Sequence, residues 1–497
     1  MRCMPALTSK RHRVNKVSLS VISASKKLIL TSWVLASSLS GCALIPYTPK
    51  PIEPKQVTDK IVNKDPLSAE FKAFCIAQGY PENKLPFASW GIEELTLSAL
   101  YHHTRLDLAK AQLGVAKAAI ESAGIKTSPN LGAHVARSNR ANGDINPFSY
   151  SLNVDIPIET TTKRAIRIEE AQHLAEVARL DVAETGWSLR RSLKQDWLNY
   201  HEHQAQTTLL ESTAKHYDKL AELVSKRVQH GLASSIELAP ILAQQSKART
   251  QLSQAASRKD LLITTMATDA GLTKEKFQQI PIAQLELDSA LDKINEFFAS
   301  PSSNQLQSDA LLNRIDIRRS LAKYAAAESK IKLEVAKQTP DISISPGFLF
   351  EFGDKIWSLG FSSLLNLLNK NPALIHQAER LREVEGAQFE AIQAQVISDV
   401  AHAQEQLDAA KQMLARAHRQ KNQLIAALQN YQKQFDAGQM DKLEFTQAQL
   451  QYSANLGELM TAQFNLLRAA EQLENSLQND LQGNLWGQYI TTETMTR

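Results

Sequence analysis

Glycine and proline are scarce, 18 and 17 among 497 residues, and most of them cluster. The long intervals between clusters exclude a loop-rich fold and imply uninterrupted helices. Cysteine is scarcer still: Cys3, Cys42 and Cys75 are spaced neither for a zinc site nor for a disulfide framework. The sharpest apolar run, from Leu28 to Leu39, is too short to remain as a membrane-spanning helix, and the mean hydropathy is negative. A polytopic helical membrane protein is thereby excluded. Equally missing are a nucleophile elbow, an HExxH pair and a phosphate-cradling glycine loop. No catalytic residue, cofactor or metal site is expected, and the chain does not read as an enzyme. Of the 12 histidines, His102 and His103 are adjacent and His201 and His203 two apart. Neither pair has the helical spacing of three or four that puts two ligands on one metal, so surface histidines are expected.

Charge is nearly balanced, with 56 basic and 52 acidic residues. The segment 1–41 holds seven of the basic residues and no acidic one, so the excess belongs to a targeting segment and not to a nucleic-acid footprint. Its basic start followed by Leu28 to Leu39 is the layout of a secretory signal. It closes on Leu39-Ser40-Gly41-Cys42, which resembles a bacterial lipobox and makes Cys42 the expected lipidated amino terminus. Ala43 in the next position is similar to lipoproteins sorted to the outer membrane. Prolines 46, 49, 51, 54, 66, 81 and 86 predict an extended segment over 42–90. Cys75, with no local histidine, reads as an inert thiol.

What the chain has in abundance is thin apolar seams. Val396, Val400, Ala403, Leu407, Ala410, Leu414, Ala417, Leu424, Leu428, Tyr431 and Phe435 recur in steps of three and four, with Lys421 out of character, on an otherwise polar helix. After Gly438 a second seam returns through Tyr452, Leu456, Leu459, Leu466, Ala470, Leu473 and Leu477, which predicts a very long antiparallel hairpin. The first half holds its counterpart: a helix from about Lys163 to Gln229, a turn at Gly231, and a return from Ser234 to Thr268. Between helices the period changes to two. Leu131, Ala133 and Val135, then Phe148, Tyr150, Leu152, Val154, Ile156 and Ile158, predict one β-hairpin. Ile342, Ile344, Phe348, Phe350 and Phe352, then Trp357, Leu359 and Phe361, predict another.

Those elements form a duplicated unit. Arg105-Leu106-Asp107-Leu108 returns as Arg314-Ile315-Asp316-Ile317, and Val228 to Leu238 returns as Phe435 to Phe445 at constant offset. The fold class is mainly α with a small β part, and six segments follow: a signal peptide (1–41), an extended segment (42–90), repeat one (91–270), a connection (271–303), repeat two (304–486) and a tail (487–497). Four strands cannot close a membrane barrel alone, because an open edge in lipid leaves unpaired backbone groups. Several copies sharing one barrel is one solution. A structural coiled-coil lipoprotein without a pore, its strands buried in a soluble core, is the other.

The lipobox, the duplicated helix–hairpin–helix unit, the Ser-Pro and Thr-Pro strand entries and the Arg-x-x-x-Gly-Leu turn together resemble the TolC-like outer-membrane efflux family over about residues 91 to 486. The resemblance implies a homotrimer in the bacterial outer membrane, with a twelve-stranded barrel continuous with a periplasmic α-barrel. It implies a periplasmic adaptor and an inner-membrane pump as partners, passive conduction of heavy metals or drugs, and no nucleic acid. It implies adaptor contacts at the tip residues Val228, Gly231, Leu232, Phe435, Ala437 and Gly438. Arg227, Glu237, Asp436, Asp441 and Glu444 become candidates for closed-aperture ion pairs. The junction from Ile156 to Arg164 resembles the branch serving heavy-metal pumps, while Leu364 to Pro372 departs from the family's usual strand-to-helix entry.

Overall fold

A computed structural model of the chain describes residues 46–139, 146–297, 303–351, 353–363 and 371–479. The signal segment with Cys42, Phe352, the junction residues 364–370 and the tail 487–497 lie outside the described residues. Two compact units divide the chain, residues 1–60 and residues 61–497. The described part of the first is an exposed run leading into α1 (Pro54–Val62). Pro54 opens α1, where its missing N–H satisfies nothing and its fixed φ suits a first turn.

The second unit begins its regular structure with α2 (Ala69–Ala77), capped by Ser68, whose hydroxyl accepts from the Phe71 amide at 3.2 Å. The segment 42–90 is therefore not extended throughout, since two short helices fit between its prolines. Cys75 is fully buried, and burial pushes its thiol up to about 12. Two helices follow, α3 (Ile92–His102) and α4 (Thr104–Ala123). His103 separates them: its backbone is extended and its Nδ1 accepts from the Arg105 amide at 3.1 Å.

Next come β1 (Asn130–Arg137), β2 (Phe148–Ile158), the 67-residue α5 (Lys163–Gln229) and α6 (Ser235–Asp269). At 1.5 Å per residue α5 is about 100 Å long. The connection carries α7 (Lys274–Phe277) and α8 (Leu287–Phe297), and Ile282 bridges in parallel to Trp90. Repeat two follows with α9 (Ser303–Asn313), α10 (Ile315–Ala336), β3 (Ile342–Glu351), β4 (Asp354–Ser363), α11 (Pro372–Asp436) and α12 (Lys442–Leu477).

Helix α5 pairs with α6 and α11 with α12, so each repeat contributes one long helical hairpin, and α5 lies against α12 to join them. Two apolar cores result. One gathers Trp90, Leu95, Leu97, Trp187, Leu193, Met266 and Phe277. The other gathers Val396, Val400, Leu407, Leu459, Leu466 and Leu473. Along α11 the seam is buried from Val396 to Leu414, half-buried at Ala417, Leu424, Leu428 and Phe435, and exposed at Tyr431. Helix α11 packs on α9 and α10 as well as on α12. A seam this long and half-covered needs further helices beside it.

The histidine expectation fails. His102, His201 and His203 are all buried. Near its middle α5 is enclosed on several sides: His203 Nε2 lies 2.8 Å from the Ala255 carbonyl oxygen of α6, and His201 packs edge-on against Trp197 with ring centroids 4.5 Å apart. Burial pushes the imidazoles of His102 and His201 down to about 4, which keeps both neutral at physiological pH.

Candidate functional site: the sheet face and the hairpin tips

The four strands form one antiparallel sheet in the order β1-β2-β3-β4. The pairing places side chains directly opposite one another on one face. One row runs Val135, Tyr150, Phe350, Lys355; the next Ala133, Leu152, Phe348, Trp357; then Ile156, Ile344, Phe361; then Ile158, Ile342. This face is almost wholly apolar. The other carries His134, Ser151, Asn153, Asp155, Ser343, Ser345, Ser358 and Ser362, with Ala136, Pro157, Leu349 and Ile356 as its apolar members, and Ser345 Oγ donates to Asp155 Oδ1 at 2.6 Å.

Nothing described in the chain covers the apolar face. Trp357 is 81% and Phe361 69% exposed, and Phe148, Tyr150 and Ile156 are 37%, 42% and 39% exposed. Burying one such side chain is worth roughly 1.5–3 kcal/mol, so a bare face of this size is a large unmet demand. The strands of 8 to 11 residues have the length of tilted bilayer-spanning strands. Among the described residues, no helix is long and apolar enough to cross a membrane. Among the described residues, strands β1 and β4 each have one unpaired edge.

The register also fixes where the helices attach. Asn130 opposes Asp155, Ile158 opposes Ile342, and Ile342 opposes Ser363, so all four helical connections leave from one end of the sheet. Left-handed backbone at Thr161 and Thr162, and again at Asn371, turns strand into long helix in both repeats. The first junction is pinned by the Lys163 ammonium, which donates to Asp341 at 2.8 Å and to the Thr339 carbonyl at 2.6 Å, and by the Thr160 amide, which donates to Asp341 at 2.9 Å.

At the far end of the hairpins the two turns have the same construction. Gly231 at φ +71° and Gly438 at φ +70° end α5 and α11 in left-handed backbone, and the next amide reaches back to the helix, Leu232 to the Arg227 carbonyl and Gln439 to the Gln434 carbonyl, both at 2.8 Å. Only glycine takes that φ without strain. The return helices open with capping boxes. Ser234 and Glu237 exchange two bonds at 3.3 and 3.0 Å, and Asp441 and Glu444 exchange two at 2.8 and 3.2 Å. Glu237 and Glu444 thus hold local backbone amides, and Asp436 accepts from Gln432 at 2.8 Å.

One aperture candidate reaches across. Arg227 Nη1 lies 3.1 Å from Asp441 Oδ2, which ties the end of α5 to the start of α12. Beneath it the rings of Phe435 and Phe445 stack at 5.0 Å and close the second hairpin. Val228 and Phe435 are half-buried, and Gly231, Leu232, Ala437 and Gly438 are exposed.

A site that the seam pattern did not single out lies near the other end of α12. Arg190 and Lys194 of α5 both donate to Glu474, and Glu471 is buried beside them. Burial would raise the Glu474 carboxyl, but the charges of Lys194 and Arg190 outweigh it and hold it below the usual range. Glu471 has no such direct pairing, and burial pushes it up to about 7. A folded carboxyl above its unfolded value binds its proton more tightly in the native state, so its contribution is fully present below about pH 4.5 and lost as pH rises to about 7. Glu471→Gln is therefore expected to stabilise the protein at pH 8, by up to about 3 kcal/mol, and to change little at pH 4.5. Urea unfolding at the two pH values checks this.

The family model for outer membrane efflux proteins matches residues 96–263. Several solved structures share the fold. VceC of Vibrio cholerae is 17% identical, with a TM-score of 0.60 over 79% of this chain and 97% of that one. A membrane protein from Pseudomonas aeruginosa is 16% identical, with a TM-score of 0.64 over 89% and 99%. The CmeC outer membrane channel of Campylobacter jejuni is 13% identical, with a TM-score of 0.61 over 91% and 97%. No curated protein sequence matches the chain.

Proposed function

We propose, for a chain whose first repeat carries the outer membrane efflux protein signature and whose fold is that of TolC-like outer-membrane channels, that three copies form the outer-membrane exit duct of an efflux system. The duct is passive, and an inner-membrane pump reached through a periplasmic adaptor supplies the energy. Cys42 carries the lipid anchor, and the duct extends into the periplasm. The observation that carries this reading is the bare apolar face of a sheet open at both edges. In lipid each unpaired edge group costs several kcal/mol, and β1 of one copy against β4 of the next removes all of them. A coiled-coil lipoprotein without a pore would bury Phe148, Tyr150 and Ile156 in a soluble core, and their exposure favours the barrel.

The six tip residues Val228, Gly231, Leu232, Phe435, Ala437 and Gly438 form the adaptor contact. Arg227 and Asp441 latch the closed aperture, with Glu237, Asp436 and Glu444 as the carboxylate lining behind them. An exposed ion pair is worth about 0–1 kcal/mol. Three such latches sum to an amount that adaptor docking can outweigh, which suits a gate. Arg227→Ala removes all three latches and is expected to raise the open fraction of reconstituted channels by up to about 150-fold, read as time-averaged bilayer conductance; an unchanged value would remove the latch.

Heavy-metal cargo is the reading favoured by the Ile156 to Arg164 junction. A growth panel on a deletion strain separates the substrate classes. Sensitivity confined to divalent metals supports that cargo, while sensitivity to dyes, detergents and antibiotics assigns the duct to drug efflux.

A further inference from the structure

At the first strand-to-helix junction a cavity of about 510 Å³ opens between the approach to β1 and the start of α5, lined among others by Lys126, Ile158, Glu159, Lys163, Arg164 and Ile168. Its charges do not cancel. Glu159 is taken up by Arg167, whose two terminal nitrogens lie 2.6 and 3.2 Å from the carboxylate oxygens. Lys163 is taken up by Asp341 at 2.8 Å and the Thr339 carbonyl. Lys126 and Arg164 remain, and among the described residues neither has a hydrogen-bond or ion-pair partner. The cavity therefore carries two uncompensated positive charges on a lining that includes Ile158, Ala165 and Ile168.

Its position sets what those charges meet. Ile158 is the last residue of β2 and belongs to the apolar face, where it is 44% exposed. All helical connections leave from this end of the sheet, so the cavity sits where the acyl region gives way to headgroups on the periplasmic side. Basic side chains at that depth meet lipid phosphates.

We propose that this cavity binds the headgroup of an anionic glycerophospholipid of the periplasmic leaflet, its phosphate held by Lys126 and Arg164 and its first acyl methylenes laid along Ile158. One lipid per copy would cement the junction at which β2 becomes α5. The site rests on the membrane reading of the sheet given above.

Native mass spectrometry of the full-length protein, purified in detergent and delipidated, tests it with phosphatidylglycerol, phosphatidylethanolamine and inorganic phosphate as probes. One phosphatidylglycerol is expected per chain, retained in preference to phosphatidylethanolamine. Lys126→Gln/Arg164→Gln is expected to weaken retention about 25-fold, at about fivefold per basic residue near an anionic lipid, without loss of the trimer. Equal retention by the variant overturns the proposal, as does displacement of the lipid by millimolar phosphate, which marks a free-anion site. The same spectra report the oligomer, so failure of the trimer reading appears as a wild-type monomer and failure of the lipid site as a trimer without selective lipid.

Discussion

Leu152→Arg is expected to abolish assembly of the duct. Leu152 lies mid-strand on β2, in the row with Ala133, Phe348 and Trp357 on the apolar face. A basic residue on the lipid face of a membrane strand costs about 2–4 kcal/mol near the bilayer midplane, and each copy carries the change. His134→Lys supplies the contrast. His134 pairs with Ser151 on the opposite face, which faces water inside a barrel, so that variant is expected to assemble. Heat-resistant trimers on unboiled gels, with membrane fractionation, read both. If the sheet instead packed in a soluble core, Leu152→Arg would still disrupt it, but the unsubstituted chain itself would give no heat-resistant trimer.

Glu474→Gln carries the second large effect. Glu474 is 2% exposed and is the shared acceptor of Arg190 and Lys194. Removing its charge leaves two buried cations without their counter-ion, and breaking a buried pair from one side costs about 3–5 kcal/mol. Urea unfolding of the purified protein at pH 8 is expected to shift by that amount. Arg190→Met/Lys194→Met/Glu474→Leu removes all three charges and is expected to recover most of the loss, because a well-packed apolar replacement of a buried ion pair is often neutral or better. Its failure to recover would mean that the network fixes the α5–α12 geometry beyond what packing supplies.

The parts legible in the sequence are those set by periodicity. Steps of three and four placed α5 and α6 to within a residue or two, and the ends of α11 and α12 as closely, whereas α11 starts at Pro372 and α12 at Lys442, well before the first seam residues Val396 and Tyr452. Alternation placed both β-hairpins, and the constant offset between Val228 to Leu238 and Phe435 to Phe445 placed both tips. Two things escaped. The seam reading treated each helix as having one partner, whereas α12 lies against both α11 and α5. Glu471 and Glu474, beside the seam residues Ala470 and Leu473, were therefore not singled out, and both are buried. The histidines failed for the same reason: His201 and His203 face different ways, and α5 is covered on both. Glu237 and Glu444 stood among the candidates for aperture ion pairs, yet both act in capping boxes, a job visible in Ser234-x-x-Glu237 and Asp441-x-x-Glu444 once the turn is placed.

The central claim is a pore shared between copies of a chain that cannot close a barrel alone. Single-channel conductance of the purified full-length protein in planar bilayers tests it most directly. Discrete ohmic steps from a trimeric fraction, enlarged or more frequent in Arg227→Ala, are the expected result; protein that inserts as a monomer, or trimers that leave the bilayer electrically silent with the tips both latched and released, would contradict it.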